Sequence, residues 1–132
     1  MNTPSHPPLP RATTPLDVLI VEDHPLAADA LRLLFDAVGH RPRLAASVAA
    51  AVRECAHRAP DLMLLDLTLA DGDGLDVLAQ TAAAGTTPRV TVALTGHDDH
   101  VLTERCRRAG CLDVILKPVM PRDLLERIAT WM

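Results

Sequence analysis

The chain is almost without aromatic side chains. Tyrosine is absent, and Phe35 and Trp131 are the single examples of their kinds in 132 residues. Hydrophobic residues still make up 48 %, so a core has to be built from Ala, Leu and Val, which suits helices packed closely on a sheet. Lysine occurs once, as Lys117. The net charge is −4, and no basic cluster stands out beyond the scattered Arg105, Arg107 and Arg108. The electrostatic footprint of a nucleic-acid binder is therefore missing. No apolar run approaches the roughly 20 residues of a bilayer-crossing helix. The N-terminus lacks the basic, apolar and small-residue order of a secretory leader. Three cysteines, Cys55, Cys106 and Cys111, are an odd number without metal-type spacing. They read as small buried or half-buried thiols in a reducing compartment. The expectation is a cytoplasmic protein with no membrane and no nucleic-acid partner.

Residues 1–15 hold five of the eleven prolines. They are expected to form a disordered extension, leaving residues 16–132 as one domain with one core. Within that domain, four short apolar runs each end in a polar group. Val18 to Val21 leads into Glu22-Asp23, Leu62 to Leu65 into Asp66, Val90 to Leu94 into Thr95, and Val114 to Leu116 into Lys117-Pro118. Runs of this kind, alternating with helical patterns, read as buried parallel strands. Pro25 opens the first helix and Gly39 stops it. A weak strand around Arg43 to Ala46 begins beside Pro42, which suits an edge. Further helices are expected at 48–59 behind Ser47, at 75–84, at 99–109 before Gly110, and from Pro121 onward, with 67–74 as a loop. In an open α/β sheet the carboxyl ends of parallel strands share one edge, where ligands bind. Three carboxylates, a hydroxyl and an ammonium thus converge on an area suited to a divalent cation and a phosphoryl group.

The strings VLIVEDHPL, DLMLLDLTLADGDGL, VALTGH and VILKPV carry these groups. In this order, with gaps of 43, 29 and 22 residues between Asp23, Asp66, Thr95 and Lys117, they resemble the response-regulator receiver domain of two-component signalling. The resemblance covers roughly Leu16 to Met132. It implies an α/β, doubly wound, five-stranded parallel sheet of order 2-1-3-4-5 with five helices, the flavodoxin-like receiver fold. It also implies that Asp66 is the phosphoacceptor and that Thr95 and Lys117 bind the phosphoryl oxygens. Glu22, Asp23, Asp66 and the main-chain carbonyl of Thr68 would hold Mg²⁺, and Lys117-Pro118 would be a cis bond. The donor would be a histidine kinase or a histidine phosphotransfer domain, and the output a downstream effector protein.

Three positions depart from the family pattern. Val114 stands where the family often carries an aromatic switch residue, so the pocket behind Thr95 should be open or filled by a neighbour. Ala70 replaces a frequent proline. Thr68 and His97 occupy the two places that tune acyl-phosphate lifetime. If Met1 and Met132 are the natural ends, output has to come through binding. Alternative readings are a relay intermediate or phosphate sink, an aspartyl-phosphate phosphohydrolase, and a pseudo-receiver that only binds proteins. The run His97-Asp98-Asp99-His100 reads as caps and first-turn acids, and Asp71 and Asp73 as turn formers.

Overall fold

The computed structural model describes residues 8–132. Strands β1 (Asp17–Val21) and β3 (Leu62–Asp66) are buried along their whole length. A strand covered on both faces needs apolar residues at consecutive positions, which is why these runs do not alternate with polar ones. Strand β2 (Arg41–Ala45) pairs with β1 alone, and β6 (Val90–Thr95) joins β3 to β7 (Asp113–Leu116). The order is β2-β1-β3-β6-β7, with every pairing parallel. Counting only these five strands, it is the expected order. Pro42 is accommodated because β2 is an edge. The segment expected as a loop contains a short antiparallel hairpin, β4 (Thr68–Leu69) with β5 (Gly72–Asp73).

Five helices cover the sheet: α1 (Pro25–Ala37), α2 (Val48–His57), α3 (Leu75–Ala84), α4 (His100–Ala109) and α5 (Pro121–Trp131). Side chains along a strand point alternately to its two faces, and two cores result. Leu19, Val21, Met63, Leu65 and Ala93 pack with Ala51 and Cys55 of α2, Val77 and Leu78 of α3, and Cys106 of α4. Val18, Ile20, Leu62, Leu64, Val92 and Leu94 pack with Phe35 of α1 and Leu124, Leu125 and Ile128 of α5. Ser47 caps α2 as expected, its Oγ accepting from the Ala50 N–H at 3.0 Å. Asp71 reaches the same helix end from the hairpin and accepts from the N–H groups of Val48 and Ala49 at 2.8 and 3.2 Å.

The expected disordered extension divides in two. Residues 1–7 lie outside the described residues. Residues 8–15 form no helix or strand, and contacts tie part of the segment to the domain. The Ala12 N–H donates to the Val38 carbonyl at 2.8 Å, one of the acceptors that a helix end leaves without an internal partner. Arg11 donates to the Ala37 carbonyl, and Leu9 packs on the α1–α5 core. Proline content favours an extended chain, and that chain has found apolar surface to cover.

His40 links this segment to the core. It is buried, lies edge-on to Phe35 with ring centroids 5.8 Å apart, and its Nδ1 accepts from the Leu16 N–H at 3.1 Å. Burial pushes its pKa below the ordinary histidine value. The native state therefore holds this proton less readily than the unfolded chain. The stability contribution is intact above the unfolded pKa of about 6.5 and is lost as pH falls through the lower native value. His40→Gln, which keeps an acceptor but does not titrate, should flatten the fall in melting temperature just below about pH 6.5. Parallel melting curves of the two proteins check this.

Candidate functional site

The carboxyl ends of β1, β3, β6 and β7 meet at one edge, and each delivers its polar residue there. Glu22 and Asp66 are buried, 4 % and 5 % exposed, and Asp23 is half-buried. Carboxylate oxygens of all three lie within 4.8 Å of one another. The Lys117 ammonium stands 3.2 Å from Glu22 Oε2 and 3.3 Å from Asp66 Oδ2. The sole lysine of the chain thus ties the last strand to the first and third. The Lys117-Pro118 bond is cis, as expected.

Backbone donors fix the acids. The Thr68 N–H donates to Asp66 Oδ1 at 3.1 Å, the Ala70 N–H to Asp23 Oδ2 at 3.0 Å, and the His24 N–H to Glu22 Oε1 at 3.3 Å. The loop after β3 therefore holds both its own aspartate and the one after β1. Thr95 is buried, and its Oγ1 accepts from the His97 N–H at 3.1 Å, which leaves the hydroxyl proton to donate. Burial raises the pKa of Glu22, and the hydrogen bond and repulsion from Asp66 raise it further against the pull of Lys117. Burial pulls Lys117 down, but the negative charges of Asp66 and Glu22 outweigh it and leave its pKa raised. The cluster holds more negative charge than its one ammonium balances.

Glu22, Asp23, Asp66 and Lys117 form this cluster, and Thr95 stands at the same sheet edge, at the end of β6. Val114 packs on the α2–α3–α4 core, and it leaves a cavity of about 170 Å³ with Thr95, His97, Cys111 and Leu116 among its walls. The pocket behind Thr95 is open. Asp99 caps α4, accepting from the Val101 and Leu102 N–H groups, so the His-Asp-Asp-His run forms a helix start as read. Asp73 accepts from the Leu75 N–H and pairs with Arg105.

One residue of the site escaped sequence reasoning. A Cβ on Gly74 would lie 2.3 Å from the Asp66 carbonyl oxygen and 2.9 Å from Leu67 Cα. The Gly74 N–H also donates to the Leu67 carbonyl at 3.0 Å. The signal was present in the Asp-Gly-Asp-Gly string, but it read as turn chemistry, not as close packing against the backbone of Asp66.

The doubly wound sheet gathers acids, a hydroxyl and an ammonium at its carboxyl edge, where open α/β sheets bind their ligands. The chain belongs to the response regulator receiver domain family, whose model matches residues 18–129. Among curated proteins it is similar to the transcriptional regulatory protein KdpE of Mycobacterium tuberculosis, 32 % identical over 111 residues. That match covers 84 % of this chain and 48 % of KdpE. The chain spans about half the length of the curated relatives it matches. Among solved structures it is similar to a CheY-like receiver domain protein from Methanospirillum hungatei, with TM-score 0.78 and 26 % identity over 94 % of each chain. It is equally similar to the receiver domain of the sensor histidine kinase PA1611 from Pseudomonas aeruginosa, with TM-score 0.79 and 26 % identity. There 89 % of this chain and 98 % of that one are covered. The PA1611 structure has a magnesium ion coordinated in its active-site cleft. The protein is thus a two-component receiver domain of signal transduction. No helix among the described residues is long and apolar enough to cross a membrane.

Proposed function

We propose that this receiver accepts a phosphoryl group on Asp66 from the phosphohistidine of a histidine kinase or a histidine phosphotransfer domain, in the cytoplasm. It then signals by phosphorylation-dependent binding to a downstream protein. One observation carries this reading. Asp66 is a buried carboxylate whose Oδ2 faces an ammonium at 3.3 Å, while two further acids crowd it within 4.8 Å. A carboxylate can form an acyl phosphate if the repulsion between two anions is met by fixed positive charge.

The donor set fits magnesium, because hard divalent cations take carboxylate and carbonyl oxygens. Glu22, Asp23, Asp66 and the Thr68 carbonyl would hold it, and when bound it neutralises charge shared between Asp66 and the incoming phosphoryl oxygens. Lys117 and the Thr95 hydroxyl stabilise the equatorial oxygens. The protein itself catalyses only its own phosphorylation and dephosphorylation.

Magnesium should stabilise the fold. A ligand specific for the native state adds about 1.4 kcal/mol at roughly ten times its Kd. Asp23→Asn keeps an oxygen for the Ala70 N–H but removes a charge. It should melt higher than wild type without metal and gain little when magnesium is added. Wild-type melting that ignores millimolar magnesium would remove the metal from this site. Profiling transfer from each histidine kinase and phosphotransfer domain of the source cell tests the donor. Repeated turnover on a phosphomonoester would instead make the chain a phosphohydrolase.

Because Val114 cannot swing as a ring would, the response should concentrate in the loop Gly96–His100 and α4. Beryllofluoride, a mimic of the acyl phosphate, should slow amide exchange there and change little at Val114. Protection confined to the Asp66 loop would overturn this route of communication and leave the phosphoryl chemistry standing.

A further inference from the structure

Helix α4 ends in a tight cap. Gly110 lies at φ +112°, the Gly110 N–H donates to the Arg107 carbonyl at 3.1 Å, and the Cys111 N–H donates to the Cys106 carbonyl at 2.9 Å. This pair of closing bonds is the Schellman arrangement, in which the side chains at its two ends regularly touch. Those side chains are here Cys106 and Cys111. Both are free and buried, 0 % and 6 % exposed, and both belong to the same core cluster. Two apolar residues would serve such a contact equally well, so the pairing of thiols is what calls for a chemical reading. Access supplies the second observation. Cys111 forms part of the wall of the cavity of about 170 Å³ that Val114 leaves beside Thr95, a space for small molecules only.

We propose that Cys106 and Cys111 are a redox site that a small hydroperoxide, entering through the cavity beside Val114, converts to a disulfide. The Cys111 thiolate attacks a peroxide oxygen, the O–O bond breaks, and the departing oxygen leaves as water (or, from an alkyl peroxide, as an alcohol). Cys111 is then a sulfenic acid. The Cys106 sulfur attacks that sulfur, the S–O bond breaks, and the hydroxyl leaves as water with the Cys106 proton. The thiols together lose two hydrogens and two electrons, and hydrogen peroxide is reduced to two waters. Burial first, then the neighbouring Cys106, pushes the Cys111 thiol up to about 12. Thiolate is scarce at neutral pH, and reaction is correspondingly slow. The closed disulfide ties the end of α4 to the entry of β7, the helix and strand that flank the Thr95 cavity.

Hydrogen peroxide applied to the full chain tests this. Intact mass should fall by two hydrogens, iodoacetamide added in denaturant should then label Cys55 alone, and dithiothreitol should restore all three alkylatable thiols. In Cys106→Ala the resolving sulfur is gone, so dimedone should trap sulfenic acid at Cys111. Cys55→Ala should still lose two hydrogens. Three labelled thiols after peroxide, a bond involving Cys55, or Cys106→Ala that takes up no dimedone at Cys111 would each overturn the assignment.

Discussion

Asp66→Asn should take up no phosphoryl group from acetyl phosphate or another small donor in the presence of magnesium, where the wild type takes up one. The substitution keeps the outline of the side chain. Its amide oxygen can still accept from the Thr68 N–H, which wild-type Asp66 Oδ1 holds at 3.1 Å. What disappears is the nucleophile, because an amide does not form an acyl phosphate, and with it one of the two charges facing Lys117. The fold should survive, since removing one acid from a cluster of three relieves repulsion. Glu22, whose pKa burial and Asp66 together raise, should ionise more easily in the variant. Intact mass after donor treatment reads the result. A phosphoryl adduct on Asp66→Asn would falsify the assignment of the nucleophile.

Gly74→Ala should be the most damaging small substitution outside the acids. Gly74 has an ordinary helical conformation, φ −54° and ψ −32°, so no left-handed backbone demands glycine. The demand is steric. The new Cβ would lie 2.3 Å from the Asp66 carbonyl oxygen, and that neighbour is backbone which cannot rotate aside. Either the start of α3 moves out or the end of β3 shifts, and the second displaces Asp66. Overpacking against side chains costs about 1–3 kcal/mol, and the rigid partner puts this case at about 3 kcal/mol or above. Urea midpoints should show it, with slower phosphoryl uptake in the fraction that stays folded. Gly96→Ala is the control, because a Cβ there meets nothing within 4 Å and should change stability by less than about 0.5 kcal/mol. Equal midpoints for the two variants would refute the steric account.

What the sequence disclosed and what it concealed follow one physical line. Parallel strands buried on both faces must be apolar throughout, so 18–21 and 62–65 stand out. A buried strand that ends in an acid then puts that acid at the carboxyl edge. Glu22, Asp66, Thr95 and Lys117 were legible for that reason. Contacts made by backbone or set by distance were not. The approach of Gly74 to Asp66, the reach of Asp71 to the start of α2, and the covering of α1 by residues 8–15 depend on how elements pack. No local pattern encodes them. The β4–β5 hairpin is two residues per strand, too short for an alternation to show. Arg43–Ala46 reads as a weak strand, and the structure gives the physical reason: β2 is an edge, with Ala45 its one buried residue.

Lys117 is about one third exposed while its ammonium lies between Glu22 and Asp66. No other side chain of this protein carries a primary amine. Reductive methylation with isotopically labelled formaldehyde therefore places a side-chain methyl label at the proposed phosphoryl site alone, and it preserves the positive charge. A single NMR signal, separate from that of the chain's α-amine, would report metal and phosphoryl occupancy at the sheet edge. The same chemistry makes the residue a point of vulnerability: one acetyl group on that nitrogen would cancel the only cation between the two buried acids.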